Sequence, residues 1–226
     1  AQRAYVEFIR NDTPRIDRHD IGQALRGLRF PLYFFDFETY SPAIPHLDGM
    51  RPYQNYPFQY SCHILHADGR MEHREYLHED QTDPRPSLAY QLVRDLGRAG
   101  SVIVYNASFE RGVLRDLAAA LPQHAPPLEN IQARLWDQLA LIRRSYDHPR
   151  FLNSKSIKRV LPVLVPELSY DDLAVQRGDE AQIVWRAMLG ETDSARRAQL
   201  AAGLRAYCER DTLAMVKIHE VLARLT

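Results

Sequence analysis

Leu32-Tyr33-Phe34-Phe35-Asp36-Phe37-Glu38-Thr39 is the most apolar short run in the chain, and it carries two carboxylates at its end. Bounded by Pro31 upstream and Ser41-Pro42 downstream, it predicts a buried strand. Side chains two apart on a strand share a face, so Asp36 and Glu38 stand side by side. Burying two unpaired carboxylates in an aromatic strand costs several kcal/mol or more unless cations or donors meet them. A divalent metal answers that cost. The plainer alternative is a strand that ends in solvent with two acids on its tip.

The same anomaly recurs twice. Gly100 precedes a second apolar run, Ser101-Val102-Ile103-Val104-Tyr105-Asn106, which leads into a helical pattern with Asn106 as N-cap. On that helix Glu110 shares a face with Val113, Leu114 and Leu117, so it looks toward the core. A first-turn glutamate favoured by the helix dipole is the competing account. In the last helix, expected from Ala202 to about Leu225, Leu204, Tyr207, Asp211, Ala214, Met215, Ile218 and Leu222 form one stripe. Tyr207 and Asp211 are neighbours on it, one turn apart. A core tyrosine beside a satisfied aspartate is again the bland alternative, but four carboxylates at three core-facing places argue for a common purpose.

Asp36-Phe37-Glu38-Thr39, Asn106-Ala107-Ser108-Phe109-Glu110 and Tyr207-Cys208-Glu209-Arg210-Asp211 resemble, in order and spacing, the three motifs of the DnaQ-like 3′–5′ exonucleases. Tyr207 matches the tyrosine (DEDDy) branch; the histidine branch would carry His at the position of Ala206. The second motif usually ends Phe-Asp, and this chain has Phe109-Glu110. Over about residues 32 to 218 the chain looks closest to an uncharacterised bacterial family classed as a domain of unknown function, often C-terminal to a RecB-like nuclease domain. That likeness includes Asp48-Gly49, Arg51-Pro52-Tyr53-Gln54 and Ser156-Ile157-Lys158-Arg159. The resemblance implies a ribonuclease H-like α/β fold, with a central mixed sheet of about five strands flanked by helices. It also implies that Asp36, Glu38, Glu110 and Asp211 hold two Mg²⁺ or Mn²⁺ ions. Tyr207 would orient the attacking water at the 3′ end of single-stranded DNA or RNA. A tyrosine with pKa near ~10 is a poor base at neutral pH. Within the motifs, Thr39, Asn106 and Phe109 are expected to meet the substrate.

Other features bear on substrate and setting. Net charge is zero, which does not announce a nucleic-acid binder. Yet Arg134, Arg143, Arg144, Arg150, Lys155, Lys158 and Arg159 outnumber Asp137 and Asp147 in one stretch. Lys155 and Lys158 are therefore expected to track a phosphate backbone, against the alternative of a solvated helix face. The loop from Ser41 to Pro57 carries Arg51 and Tyr53, and its aromatics are expected to stack a terminal base or simply to pack. Asp137 reads as a helix cap or as support for the metal ligands.

Phe58–Leu65 and Met71–His78 predict a hairpin turning at Ala67-Asp68-Gly69, followed by a helix over about 87–98. Pro122 to Pro127 is expected to break the chain before a helix at about Asp137–Ser145. Cys62, His63, His66, His73 and His78 match no tetrahedral zinc spacing, so the sequence argues against zinc there. The 226 residues suit one α/β domain over 31–226, with residues 1–30 expected as a lead-in from a larger protein. Two cysteines without metal spacing, no membrane-length apolar stretch and no signal pattern lead to an expected cytoplasmic, reduced setting. Two other function classes stay open: a catalytically weak nucleic-acid-binding module assisting a fused or partner nuclease, and phosphoester hydrolysis on a small nucleotide.

Overall fold

The computed structural model describes residues 2–45 and 49–226, so Asp48 lies outside the described residues. The chain opens with α1 (Gln2–Asn11), β1 (Arg15–Ile16) and α2 (Arg18–Arg26). The central run is β2 (Leu32–Tyr40), β3 (Tyr56–Leu65), β4 (Met71–Leu77), α3 (Pro84–Leu96), β5 (Ser101–Val104) and α4 (Ala107–Ala120). Then come α5 (Ala125–Ala133), β6 (Leu135–Asp137), α6 (Gln138–Ser145), β7 (Tyr146–Asp147), α7 (Ile157–Leu164), α8 (Gly178–Gly190) and α9 (Ser194–Ala223).

The architecture is α/β: a five-stranded mixed sheet in the order β4-β3-β2-β5-β6, packed against helices. β4, β3 and β2 pair antiparallel, whereas β5 and β6 join β2 in parallel. The expected hairpin is present, with His63 opposite His73.

β2 is buried on both faces, and its alternation sorts its side chains. Tyr33, Phe35 and Phe37 pack with Leu88, Leu92, Val113 and Leu114 beneath α3 and α4. Leu32 and Phe34 face the other way, onto Met215 and Val216 of α9. Asp36 and Glu38 have the phase of Leu32 and Phe34, so they too face α9. Two buried glutamines help hold that helix over the sheet. Gln59 Nε2 donates to the Leu204 carbonyl at 2.9 Å, and Gln138 Nε2 donates to the Met215 carbonyl at 3.0 Å.

Residues 1–30, expected as a lead-in, are folded against the body in part. β1 pairs with β7, and Ile21 of α2 is fully buried with Leu141, Ile142 and Ile218. The proline-rich stretch also differs from expectation. Pro126 and Pro127 open α5 rather than breaking the chain, because a helix's first turn needs no N–H donors.

Gly100 fixes the junction between β2 and β5. Its φ is +92°, and an added Cβ would lie 2.2 Å from the Pro31 carbonyl oxygen. Gly100→Ala is therefore expected to lower stability by about 2–4 kcal/mol, from left-handed strain plus a backbone clash. Urea unfolding of the two proteins measures it.

Candidate active site

Three elements deliver the acids. β2 supplies Asp36 and Glu38, α9 supplies Asp211, and their carboxylate oxygens come within 4.8 Å of one another. Glu110, one turn into α4, is 2 % exposed, and its Oε2 has no hydrogen-bond partner. Its charge acts on Asp36, which places it at the edge of the same cluster. The centre sits on the carboxyl half of β2, past the last residues that pair with β5, where the sheet changes from antiparallel to parallel pairing. Open α/β sheets commonly bind ligands at such a crevice.

Local structure explains the placement. A register shift follows Glu38, so that Glu38 pairs with Gln59 and Thr39 with Pro57. The extra β3 residue, Phe58, stacks on Trp185 of α8 at 4.4 Å between ring centroids. The bulge thus shifts the register beside the acids and ties the sheet to α8. Asp137 is the cap of α6, accepting from Ala140 N at 2.9 Å through Oδ1. Its Oδ2 accepts from Ala107 N at 3.0 Å. One carboxylate therefore caps α6 and fixes the start of α4, the helix that carries Glu110. Asn106 is the N-cap residue of α4, as expected, but its side chain makes no capping bond: its backbone is left-handed at φ 106°, and its side chain accepts from Ser108 Oγ.

The electrostatics are those of crowded anions. Burial pushes Asp36 well above the ordinary carboxylate range, and the charges of Asp211, Glu38 and Glu110 push it further. Burial, then Asp211, do the same to Glu38, while Lys158 opposes them. Glu110 is raised to about 8, chiefly by burial. Asp211 is raised by burial, against the Tyr170 hydroxyl, Lys158 and Tyr207. Four carboxylates cannot all ionise here without added positive charge. An all-oxygen donor set with an orphaned buried carboxylate oxygen suits hard divalent cations.

Tyr207 is buried beside Asp211, and its hydroxyl accepts from Lys158 Nζ at 3.2 Å. Burial and the charges of Asp211, Glu38 and Asp36 raise its pKa, so the phenol stays protonated. Tyr170 joins the candidate site, although the sequence did not flag it. Its hydroxyl donates to Asp211 Oδ1 at 2.5 Å from a loop 41 residues away. No helical or strand periodicity marks such a residue.

The remaining expected site residues fall in several places. Lys158 lies at the centre, donating also to the Gln176 carbonyl. Thr39 follows the bulge on β2, half-buried. Phe109 packs partly buried against the core under α4. Tyr53 is 73 % exposed with φ 57°, whereas Tyr56 and Phe58 of the same stretch are buried in β3. Arg51 is exposed and pairs with Asp116 of α4 at 3.7 Å. Lys155 is turned to structural partners: it donates to the Tyr146 carbonyl at 3.0 Å and to the Asp147 carboxylate. Much of the basic stretch is similarly engaged. Arg134 donates to the carbonyls of Leu96, Gly97, Ala99 and Gly100, Arg144 pairs with Asp20, and Arg150 pairs with Asp12. Both cysteines are free and buried. Among the described residues, no helix is long and apolar enough to cross a membrane.

Residues 33–156 match the family described as Domain of unknown function (DUF2779). The chain is 30% identical over 218 residues to "Uncharacterized protein MG366 homolog" of Mycoplasma pneumoniae, covering 82% of this chain and 31% of that protein. It is 25% identical over 249 residues to "Uncharacterized protein UU173" of Ureaplasma parvum, covering 100% of this chain and 36% of that protein. The chain thus spans about a third of the length of these curated relatives. No solved structure gives a significant match. Because the family match takes in more than half of the 226 residues, the chain belongs to the DUF2779 family.

Proposed function

We propose that this chain is a metal-dependent nuclease of the DnaQ-like, ribonuclease H-like superfamily, tyrosine branch, which removes nucleotides from the 3′ end of single-stranded DNA or RNA. The observation that carries the reading is the convergence of Asp36, Glu38 and Asp211 within 4.8 Å beside a protonated Tyr207. Asp36, Glu38, Asp211 and Glu110 are the residues that would hold two divalent ions. When bound, such ions stabilise both the attacking and the leaving oxygens of an in-line displacement.

The chain's own groups then have distinct parts. The four acids would give up their protons to hold the cations, whose charge would offset the repulsion described above. Tyr207 keeps its proton and fixes the orientation of the incoming water through its hydroxyl. Lys158 holds that hydroxyl and brings positive charge toward the scissile phosphate. The water oxygen gives a proton to solvent and bonds to phosphorus, and the bond from phosphorus to the O3′ of the preceding nucleotide breaks, O3′ taking up a proton from solvent. A nucleoside 5′-monophosphate leaves, and the shortened strand keeps a free 3′-hydroxyl. In a longer protein the chain would trim 3′ ends beside a RecB-like domain, as the resemblance implies.

The test is incubation with 5′-labelled single-stranded DNA and RNA in Mn²⁺ or in chelator. The reading expects a ladder shortening from the 3′ end in Mn²⁺ alone. A second reading, a binding module serving a neighbouring nuclease, draws on Glu110 standing where the resemblance has aspartate. Strand binding without any shortening would replace the first reading with the second. Tyr207→Phe is expected to keep fold and Mn²⁺ binding yet slow single-turnover cleavage ~10²–10⁴-fold. An unchanged rate would leave Tyr207 a core aromatic only.

A further inference from the structure

On the same sheet face, one strand further from the acids, α9 meets a second group of ligand-type side chains. His63 of β3 and His73 of β4 are direct cross-strand partners, with ring centroids 4.6 Å apart. Glu209 of α9 completes the group: one nitrogen from each ring and one carboxylate oxygen lie within 4.8 Å of one another. His63 is 6 % exposed, and Glu209 reaches solvent.

One arrangement of protons satisfies every hydrogen bond around the pair and leaves one nitrogen of each ring free. In that arrangement Thr212 Oγ1 donates its proton to the Glu209 carbonyl at 3.0 Å, an oxygen that can only accept. Ser61 Oγ, at 2.8 Å, must then donate to Thr212 Oγ1. With that proton spent, His73 Nε2 must donate to Ser61 Oγ at 2.9 Å. His63 Nδ1 must likewise donate to Thr212 Oγ1 at 2.8 Å. In their neutral forms both rings therefore carry their proton on the hydroxyl side. The lone pairs left for a ligand are on His63 Nε2 and His73 Nδ1. His73 Nδ1 faces Glu209 Oε1 at 4.0 Å.

We infer that His63, His73 and Glu209 form a binding site for a transition-metal dication of the Zn²⁺ type, separate from the acidic centre. Two imidazoles and one carboxylate are a donor set that Zn²⁺ takes with a water in its fourth position. The hydroxyls on the outer nitrogens are the partners that orient metal-bound histidines and set their tautomers. Burial and His73 hold His63 down to about 4, so the ring is neutral and ready to bind at neutral pH. Glu209, being exposed, is the ligand free to close on the ion. An ion here ties the β3–β4 hairpin to α9 two residues before Asp211. Cys62, His63, His66, His73 and His78 by themselves match no tetrahedral spacing. The site instead needs one residue from each strand of the hairpin and a third from a distant helix.

The test is titration of the chelator-treated protein with Co²⁺ and Zn²⁺ at pH 8, reading the Co²⁺ visible absorption and its displacement by Zn²⁺. It uses Asp36→Asn as the background, which disables the acidic centre and so separates this inference from the nuclease reading. The expected result is a Zn²⁺-displaceable Co²⁺ band in that background, with affinity falling about tenfold or more in Glu209→Gln and in His73→Gln. Glu209 is at the surface, so Glu209→Gln leaves the fold intact even where a histidine substitution disturbs it. No band in the Asp36→Asn protein, or a band that Glu209→Gln and His73→Gln leave unchanged, overturns the inference. So does a His73–Glu209 pair that only exchanges a proton with solvent and takes up neither metal.

Discussion

Asp211→Asn is expected to abolish hydrolysis while raising the melting temperature of the metal-free protein. The two effects have one cause. Asp211 is buried among Asp36, Glu38 and Glu110, and its charge raises the pKa of both Asp36 and Glu38. Removing it relieves like-charge repulsion that protonation or a bound cation otherwise offsets. Each kcal/mol relieved lifts the midpoint of a domain this size by about 2–4 °C. Asparagine still accepts from Tyr170 through Oδ1, so the loop contact at 2.5 Å survives. Cleavage should fall at least ~10³-fold, as expected when a group that organises charge at the reacting phosphate is lost. The measurements are calorimetry in chelator and single-turnover cleavage in Mn²⁺. A destabilised, active variant would mean that Asp211 is an ordinary core aspartate.

Metal should then reverse the pH dependence of stability. Glu110 is raised from 4.5 to about 8. Between those values the folded, chelated protein keeps a proton that the unfolded chain has lost. The unfolded state binds fewer protons, so stability falls as pH rises through this window, by at most about 1.4 kcal/mol per pH unit from this group. Stability from the protonated Glu110 is thus fully present below about 4.5 and lost by about 8. Mn²⁺ binds the deprotonated acids, and its affinity climbs with pH. At a hundredfold excess over Kd it adds about 2.7 kcal/mol, or roughly 5–10 °C in midpoint. The Mn²⁺-induced shift should therefore be small at pH 5 and large at pH 8. A shift equal at both, or none at either, would remove the carboxylates from the account.

The parts of the fold that were legible in the sequence are those whose pattern is local. The Leu32–Thr39 run announced β2 because nearly every residue in it is buried, and period two then put Asp36 and Glu38 on one face. The α9 stripe was readable because a 30-residue helix repeats its pattern many times, although its start at Ser194 lay upstream of the expected Ala202. α5 was hidden by Pro126 and Pro127, since a proline pair signals a break and a first turn equally well. β6 has three residues, too few to show alternation. Lys155 drew attention as a free cation, yet Asp147 and the Tyr146 carbonyl take it up, a pairing that follows from the turn between them rather than from composition. Tyr170 and the His63–His73–Glu209 group depend on contacts between elements far apart in the chain. Only the packed structure brings them together.

The most direct measurement is anomalous diffraction from crystals of the wild type and of Asp211→Asn soaked in MnCl₂. The account predicts manganese peaks enclosed by Asp36, Glu38 and Asp211 in the wild type, up to two and about 3.5–4 Å apart, and their loss in the variant. Manganese absent from those carboxylates in the wild type, or undisturbed by Asp211→Asn, would contradict it.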